Sequence, residues 1–467
     1  MNVKTNSSFN GTACLLALLF AFALQGLWTP PCSAQNLPEP RREQLLNGLR
    51  VVLWPRPGDG EVLLKLRIHS GAIFDMAGKA GTMALLGDTL FPDPATREYF
   101  TEELGGRLLV RTDADSINVT LSGRASEFER IVEQLRNAIL NAPFTADSIS
   151  KLRDARAKVV REASVAPTAI ADRAIAARLF GDYPLGRSFN GTTDTLPRIE
   201  RSDLLFARER FLNPNNATLV VIGGIDNARA MRLLRQRLGA WRQSEAIVPP
   251  TFRQPAATDA RTLLVDLPNT DTAEIRLAAR SIARFDRDNA SATLLALLAR
   301  DRWLAAFPQL GKSAFFVRNE AYVLPGFFVL GAAIPTPLAA NALAAARTVL
   351  NTLATTQPTV AELERVRTEA LAALNKQFEQ PDTLADQWLD TDTYKLDPVY
   401  DQTKQLGSVT PASVQRIAAK LFLGAPVASV ALGSAAQLKP DLERAGRVEV
   451  MGASNSTTKN KISTPKQ

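Results

Sequence analysis

The sequence predicts an α+β fold of two homologous domains, each a mainly antiparallel sheet packed with helices. Three observations carry that prediction. Strand-like alternation and helix-like periodicity are interspersed along the whole chain. The order of elements in the first half recurs in the second, and a segment with paired prolines separates the two. Such mixing of periods argues for sheets covered by helices on one face rather than for an all-helical or all-strand protein.

Taken in order, the chain reads as follows. Leu49-Arg50-Val51-Val52-Leu53-Trp54-Pro55 and Glu61-Val62-Leu63-Leu64-Lys65-Leu66 form one strand pair. Ile117-Asn118-Val119-Thr120-Leu121-Ser122 alternates as a half-buried strand does. Phe128, Ile131, Val132, Leu135, Ile139 and Leu140 then fall on one helical face. The first half closes with Ile199 to Leu204, a helical pattern to Phe211-Leu212-Asn213-Pro214, and a strand ending in Gly223-Gly224. The second half starts from Thr262-Leu263-Leu264-Val265-Asp266-Leu267-Pro268 and Glu274-Ile275-Arg276-Leu277. It closes with Val409 to Val414, Lys420-Leu421-Phe422-Leu423, and a strand ending in Gly433. A repeat of that size is a duplicated domain, since solenoid periods run to roughly 20–50 residues. The domains are expected at residues 35–240 and 262–446. Residues 241–261, with Pro249-Pro250, form the linker, because prolines remove backbone donors. Residues 447–467, polar and rich in Ser, Thr, Lys and Asn towards the end, are expected to be a disordered tail.

Composition bounds the function. Hydrophobic content of 46% and charged content of 22% are those of a globular protein. The net charge of +8 is spread among acidic residues, with no basic run interleaved with aromatics, which argues against nucleic acid as a partner. At the N-terminus, Lys4 precedes the apolar run 13–24, and Pro30-Pro31-Cys32-Ser33-Ala34 supplies small residues for cleavage. Residues 1–34 therefore read as a secretory signal peptide, which implies a secreted, periplasmic location; an uncleaved membrane anchor is the alternative. Both cysteines, Cys14 and Cys32, fall in that segment, so the mature chain is expected to carry no thiol.

The single histidine, His69, cannot make a zinc site by itself. The stretch Ala80-Gly81-Thr82-Met83-Ala84-Leu85-Leu86-Gly87-Asp88-Thr89-Leu90-Phe91 nevertheless resembles the signature helix of the pitrilysin/insulinase metallopeptidases, whose frame carries the inverted zinc motif HxxEH. Further stretches resemble the family in the same order: Asn47 to Leu53, Gly78 to Gly81, Glu102 to Leu108, Gly181 to Arg187 with Gly191-Thr192-Thr193, and Phe211 to Asn216. The resemblance implies a two-domain subunit like those of mitochondrial processing peptidase. It also implies that the positions of two histidine ligands and the general base are Ala84, Asp88 and Gly87. The third ligand maps to Glu162, a carboxylate that survives. A carbonyl-binding arginine and tyrosine found in some family members map to Pro308 and Phe315.

On that resemblance no catalytic residue and no metal ligand set remains. Asp88, Glu162 and Asp75 offer oxygens of the kind calcium or magnesium takes, but their spacing does not demand a site, and Asp88 reads as a solvated residue on a degraded helix. Glycine inside a helix costs about 1 kcal/mol relative to alanine, so Gly87 reads as drift rather than redesign. No GxSxG elbow, Walker loop or Rossmann fingerprint occurs elsewhere. What the resemblance leaves is peptide binding by strand addition along Leu108, Leu109, Val110 and Arg111, against the plainer reading of a covered edge strand. The expected function is a non-catalytic subunit with no cofactor of its own, paired with an HxxEH-bearing partner that holds the zinc and acts on peptides. A stand-alone peptide- or protein-binding module, homodimeric or not, is one alternative. A scaffolding subunit of an envelope complex is a second, and an enzyme using unrecognised residues is a third.

Overall fold

The structure is a computed structural model that describes residues 39–245, 252, 255, 257–424 and 426–452. The expected signal peptide with Cys14 and Cys32 lies outside the described residues, as do the linker prolines Pro249 and Pro250 and tail residues 453–467.

The first sheet contains β1 (Arg41–Gln44), β2 (Arg50–Pro55), β3 (Glu61–Ile68), β4 (Leu108–Thr112), β5 (Ile117–Arg124) and β6 (Ala217–Gly223), in the order β1-β2-β6-β3-β5-β4. Only β2 and β6 run parallel; the other neighbours are antiparallel. The second sheet repeats this plan except that its outer strand β12 runs parallel to β7. Its strands β7 (Thr262–Asp266), β8 (Thr272–Arg280), β9 (Phe315–Glu320), β10 (Phe327–Pro335), β11 (Ala428–Gly433) and β12 (Val448–Gly452) run in the order β12-β7-β11-β8-β10-β9. The central β6 and β11 are buried throughout, and both end in glycines at positive φ, Gly223 and Gly433.

Helices of the first half are α1 (Thr82–Asp88), α2 (Ala95–Glu102), α3 (Phe128–Leu140), α4 (Ala146–Ala163), α5 (Pro167–Phe180), α6 (Arg201–Phe211) and α7 (Asn227–Leu238). The face predicted for α3 is the one that enters the core, with Leu140 packed at its margin. Those of the second half are α8 (Asn289–Ala305), α9 (Ala339–Thr355), α10 (Val360–Glu379), α11 (Pro381–Tyr394), α12 (Val399–Ser408), α13 (Pro411–Phe422) and α14 (Ala435–Ala445). No described helix is long and apolar enough to cross a membrane.

The halves exchange a helix. Helix α5 leaves the first sheet and packs on β8 and β11 of the second, where Ile170, Ala171, Ile175 and Leu179 join Val329, Val430 and Leu432 in one apolar core. Helix α11 does the reverse and crosses β3 and β6, with Trp388 set edge-on to Trp54 at 5.7 Å. Each crossing helix begins with proline at its first turn, which fixes φ where no amide partner is needed.

Beneath each crossing helix lies a buried cation on the central antiparallel strand. Because side chains alternate along a strand, Leu64, Leu66 and Ile68 point into the first core while Lys65 and Arg67 point at α11. Lys65 Nζ lies 2.7 Å from Asp386 and Arg67 Nη1 2.6 Å from Asp390. In the second half Arg276 Nε lies 2.6 Å from Asp172 of α5. Lys65 pairs across the sheet with Val220 and Arg276 with Val430, each valine three residues before its strand-ending glycine. Asp172 and Asp386 likewise lie at the same step after Pro167 and Pro381.

Two expected boundaries shift. The tail expected from residue 447 begins instead with a strand: β12 pairs in parallel with β7, and Glu449 is held by Arg178 at 2.6 Å and Arg261 at 3.1 Å. The open side of β7 supplies main-chain partners that a five-residue stretch could not advertise in sequence. The expected linker start, Trp241, is buried in the first domain, its indole donating to the Leu212 carbonyl at 3.1 Å.

Candidate functional site

Helix α1 is built into place from its N-terminal end. Gly81 adopts φ +98°, and the buried Asp75 accepts from the Gly81 and Met83 amides at 2.6 and 2.8 Å, satisfying donors that the first turn leaves open. Burial pushes the Asp75 carboxyl up to about 7 against those hydrogen bonds. Lys79, just before the helix, ties the entry to α6 through Asp203 at 2.6 Å, and Asp203 also accepts from the Glu200 amide at 2.8 Å.

The three degenerate positions lie as follows. Ala84 is wholly buried and offers no side-chain donor atom. Gly87 faces β4 so closely that a Cβ there would sit 2.9 Å from Thr112 Oγ1 and 3.5 Å from Val110 Cγ1. A side chain at 87 would need Thr112 to shift. Asp88 is not a free solvated carboxylate: Arg156 of α4 grips it with Nε to Oδ2 at 2.6 Å and Nη2 to Oδ1 at 2.7 Å. The same guanidinium donates to the Ala84 carbonyl at 3.3 Å and to Asn190 Oδ1 at 3.1 Å. A planar fork meeting a carboxylate through two parallel bonds is the strongest common ion-pair geometry.

Glu162 is exposed near the end of α4, whereas the residue of that helix that reaches α1 is Arg156. Asp75 spends its oxygens on amides. His69 lies between two hydroxyls, Nδ1 2.9 Å from Thr393 Oγ1 and Nε2 3.0 Å from Thr218 Oγ1, and burial with the charges of Arg50 and Arg67 holds it down to about 3. No group of three or more His, Cys, Asp or Glu side chains among the described residues is placed to hold a metal. The residues present do not fit zinc: of the three ligand positions Ala84 has no donor atom, Asp88 is held by a guanidinium, and Glu162 alone keeps an exposed carboxylate.

The strand proposed for peptide addition is β4, at the edge of the first sheet with β5 as its one neighbour. Leu108 is buried, Val110 half-buried, and Leu109 and Arg111 exposed. In the second half, Pro308 follows α8 and Phe315 is buried between Trp303 and Phe307, with ring centroids at 4.8 and 5.8 Å. Neither side chain offers a donor to a substrate carbonyl. Arg156 escaped the sequence reading because its partner Asp88 is 68 residues away, on another helix.

A two-domain peptidase-like fold, with an arginine–aspartate pair joining α4 to α1, defines the class. The chain belongs to the pitrilysin/insulinase family: residues 50–193 match the family described as Insulinase (Peptidase family M16), and residues 198–370 match the Peptidase M16 inactive domain. Over 205 residues it is 26% identical to an uncharacterized zinc protease of Mycobacterium leprae, covering 43% of this chain and 46% of that protein. Over 242 residues it is 22% identical to cytochrome b-c1 complex subunit 1, mitochondrial, of Mus musculus, covering 50% of each. The chain thus spans about half the length of the curated relatives it matches. A protease from Helicobacter pylori shares the fold, with a TM-score of 0.78 over 85% of this chain and 100% of that one, at 18% identity.

Proposed function

We propose that this chain is a secreted, periplasmic pseudopeptidase: a supporting subunit that binds peptide and pairs with an HxxEH-bearing subunit of the same family, which holds the zinc. The observation that carries this reading is the Asp88–Arg156 pair. With Asp88 held by a guanidinium, and glycine where the resemblance puts the general base, this reading leaves neither an open coordination position nor a base to activate water. Strand β4 ends the first sheet and carries the exposed Leu109 and Arg111, which supports main-chain pairing with an extended peptide.

The test is metal content and peptidase activity of the chain alone and co-expressed with an HxxEH protein encoded beside it. Zinc and cleavage only in the mixture, with a stable heteromer, are expected. Zinc-dependent cleavage by this chain alone overturns the reading. The similarity to subunit 1 of a respiratory complex favours a second role, as a scaffold of an envelope assembly, which predicts co-purification with membrane proteins and no effect on proteolysis.

A further inference from the structure

Beside Arg156 lies a cavity of about 420 Å³ between α4, α5, the loop 185–190 and the strands β9 and β10. That volume is in the range of small-molecule sites. Four guanidiniums line it: Arg156, Arg173, Arg187 and Arg318. The carboxylates around it are already matched. Asp88 takes Arg156, Asp172 takes Arg276 at 2.6 Å, and Glu320 takes the Tyr322 hydroxyl at 2.6 Å and Arg318 at 3.4 Å.

Arg173 and Arg187 are left with main-chain partners. Arg173 donates to the Ser164 carbonyl at 3.3 Å, and Arg187 to the carbonyls of Asp182 and Asp75 at 2.8 Å each. Neither makes a salt bridge with a carboxylate among the described residues. Burial lowers the proton affinity of both guanidiniums; the carboxylates of Asp182 and Asp75 partly offset this for Arg187, and no carboxylate does so for Arg173. The remaining wall is apolar, including Ile175, Phe327 and Val329.

We propose that this cavity binds a carboxylate carried on an apolar body, with Arg173 and Arg187 as the carboxylate's partners and the Ile175–Phe327–Val329 wall against its body. Two sources share that chemistry: the C-terminal residue of a peptide and a free acyl carboxylate. The choice of a peptide as one source rests on the peptide-binding reading above; the site itself does not require a catalytic partner.

The test uses the purified chain and a fluorescein-labelled Ala-Ala-Leu tripeptide, with a free C-terminus or as its amide, followed by fluorescence anisotropy. The free acid is expected to bind about tenfold or more tightly than the amide, as charge-assisted hydrogen bonds require. Arg173→Gln removes that preference, and Arg187→Gln lowers it by a few-fold or more. Octanoate that displaces the acid marks any acyl carboxylate as a ligand; binding of the tripeptide without competition by octanoate marks peptide C-termini. Equal binding of acid and amide, or a preference untouched by both substitutions, overturns the proposal. Failure here leaves formation of a zinc-bearing heteromer unaffected, so the two readings fall separately.

Discussion

Lys65 and Arg276 occupy the same place in the two halves and solve the same problem differently. Each sits on a central strand beneath a helix lent by the other domain, and each is neutralised by an aspartate at the same step of that helix. Lys65 is 6% exposed and shares its charge with Asp382 and Asp386, whose side chains are about two-fifths exposed. Arg276 is 0% exposed, spans Asp172 and Glu274, and lies 5.0 Å over the Phe316 ring. Both cations meet an aspartate at the rim, where water helps, but the guanidinium also reaches the buried Glu274 and lays its flat face on Phe316 inside. Duplication thus preserved the device that locks the domains together while its depth diverged. The cavities diverged too: Arg173, next to Asp172, lines the 420 Å³ cavity, whereas Gln387, next to Asp386, lines one of about 1080 Å³ in the second half.

The deeper cation should be the costlier to remove. Arg276→Ala leaves Glu274 buried without its partner and is expected to lower stability by about 3–5 kcal/mol, measured by urea unfolding. Lys65→Ala should cost less than that, because Asp382 and Asp386 regain water. Equal losses would mean that burial depth does not set the strength of the two locks. Next in size is Gly87→Glu, which restores the family's carboxylate position. With Thr112 Oγ1 2.9 Å from where its Cβ would lie, it is expected to cost about 1–3 kcal/mol. The triple change Ala84→His, Gly87→Glu, Asp88→His should still bind no zinc by elemental analysis while Arg156 remains.

A smaller effect lies in the pH dependence of the contact between the β4–β5 and β9–β10 turns. Asp115 is buried there, accepting from the Tyr394 hydroxyl at 3.0 Å and the Val323 amide at 3.1 Å. Burial pushes its carboxyl up to about 7, with Asp113 and Asp390 adding to the rise. A carboxyl raised in this way holds its proton more tightly when folded. Its contribution is therefore fully present below its unfolded value near 4 and is lost as pH rises through about 7. His69, depressed to about 3, works the opposite way: its contribution is present above about 6.5 and is lost as pH falls. Asp115→Asn should remove the first dependence only, flattening the loss of stability between about pH 4 and pH 7 by on the order of 1–2 kcal/mol. An unchanged slope would assign that pH window to Asp75 instead.

Much of the fold was legible because it rests on local patterns and their recurrence. The face of α3, the strand β5, and the strand-and-glycine endings at Gly223 and Gly433 all appear in sequence as periodicity. The exchange of α5 and α11 was not legible. Nothing in Pro167-Thr168-Ala169-Ile170-Ala171-Asp172 says which sheet it covers, although its likeness to Pro381-Asp382-Thr383-Leu384-Ala385-Asp386 was available as a signal. At the candidate site, the substitutions at Ala84, Gly87 and Asp88 were readable one by one. Their meaning was not, because Arg156 and Thr112 reach them only through tertiary packing.

The smallest expected effect bears on whether β4 is still a working edge. Leu109 is 54% exposed on that strand. Leu109→Ser should therefore change stability by less than about 0.5 kcal/mol, the range of ordinary surface substitutions. If an extended peptide pairs along β4, the same change removes an apolar contact beside each bound chain while leaving the main-chain bonds intact, so capture of a labelled extended peptide should weaken only a few-fold. Val110→Pro, which deletes a main-chain donor on the same strand, should weaken capture further than Leu109→Ser. Peptide capture that ignores both changes would move binding off β4 and leave the arginine-lined cavity between the domains as the place to look.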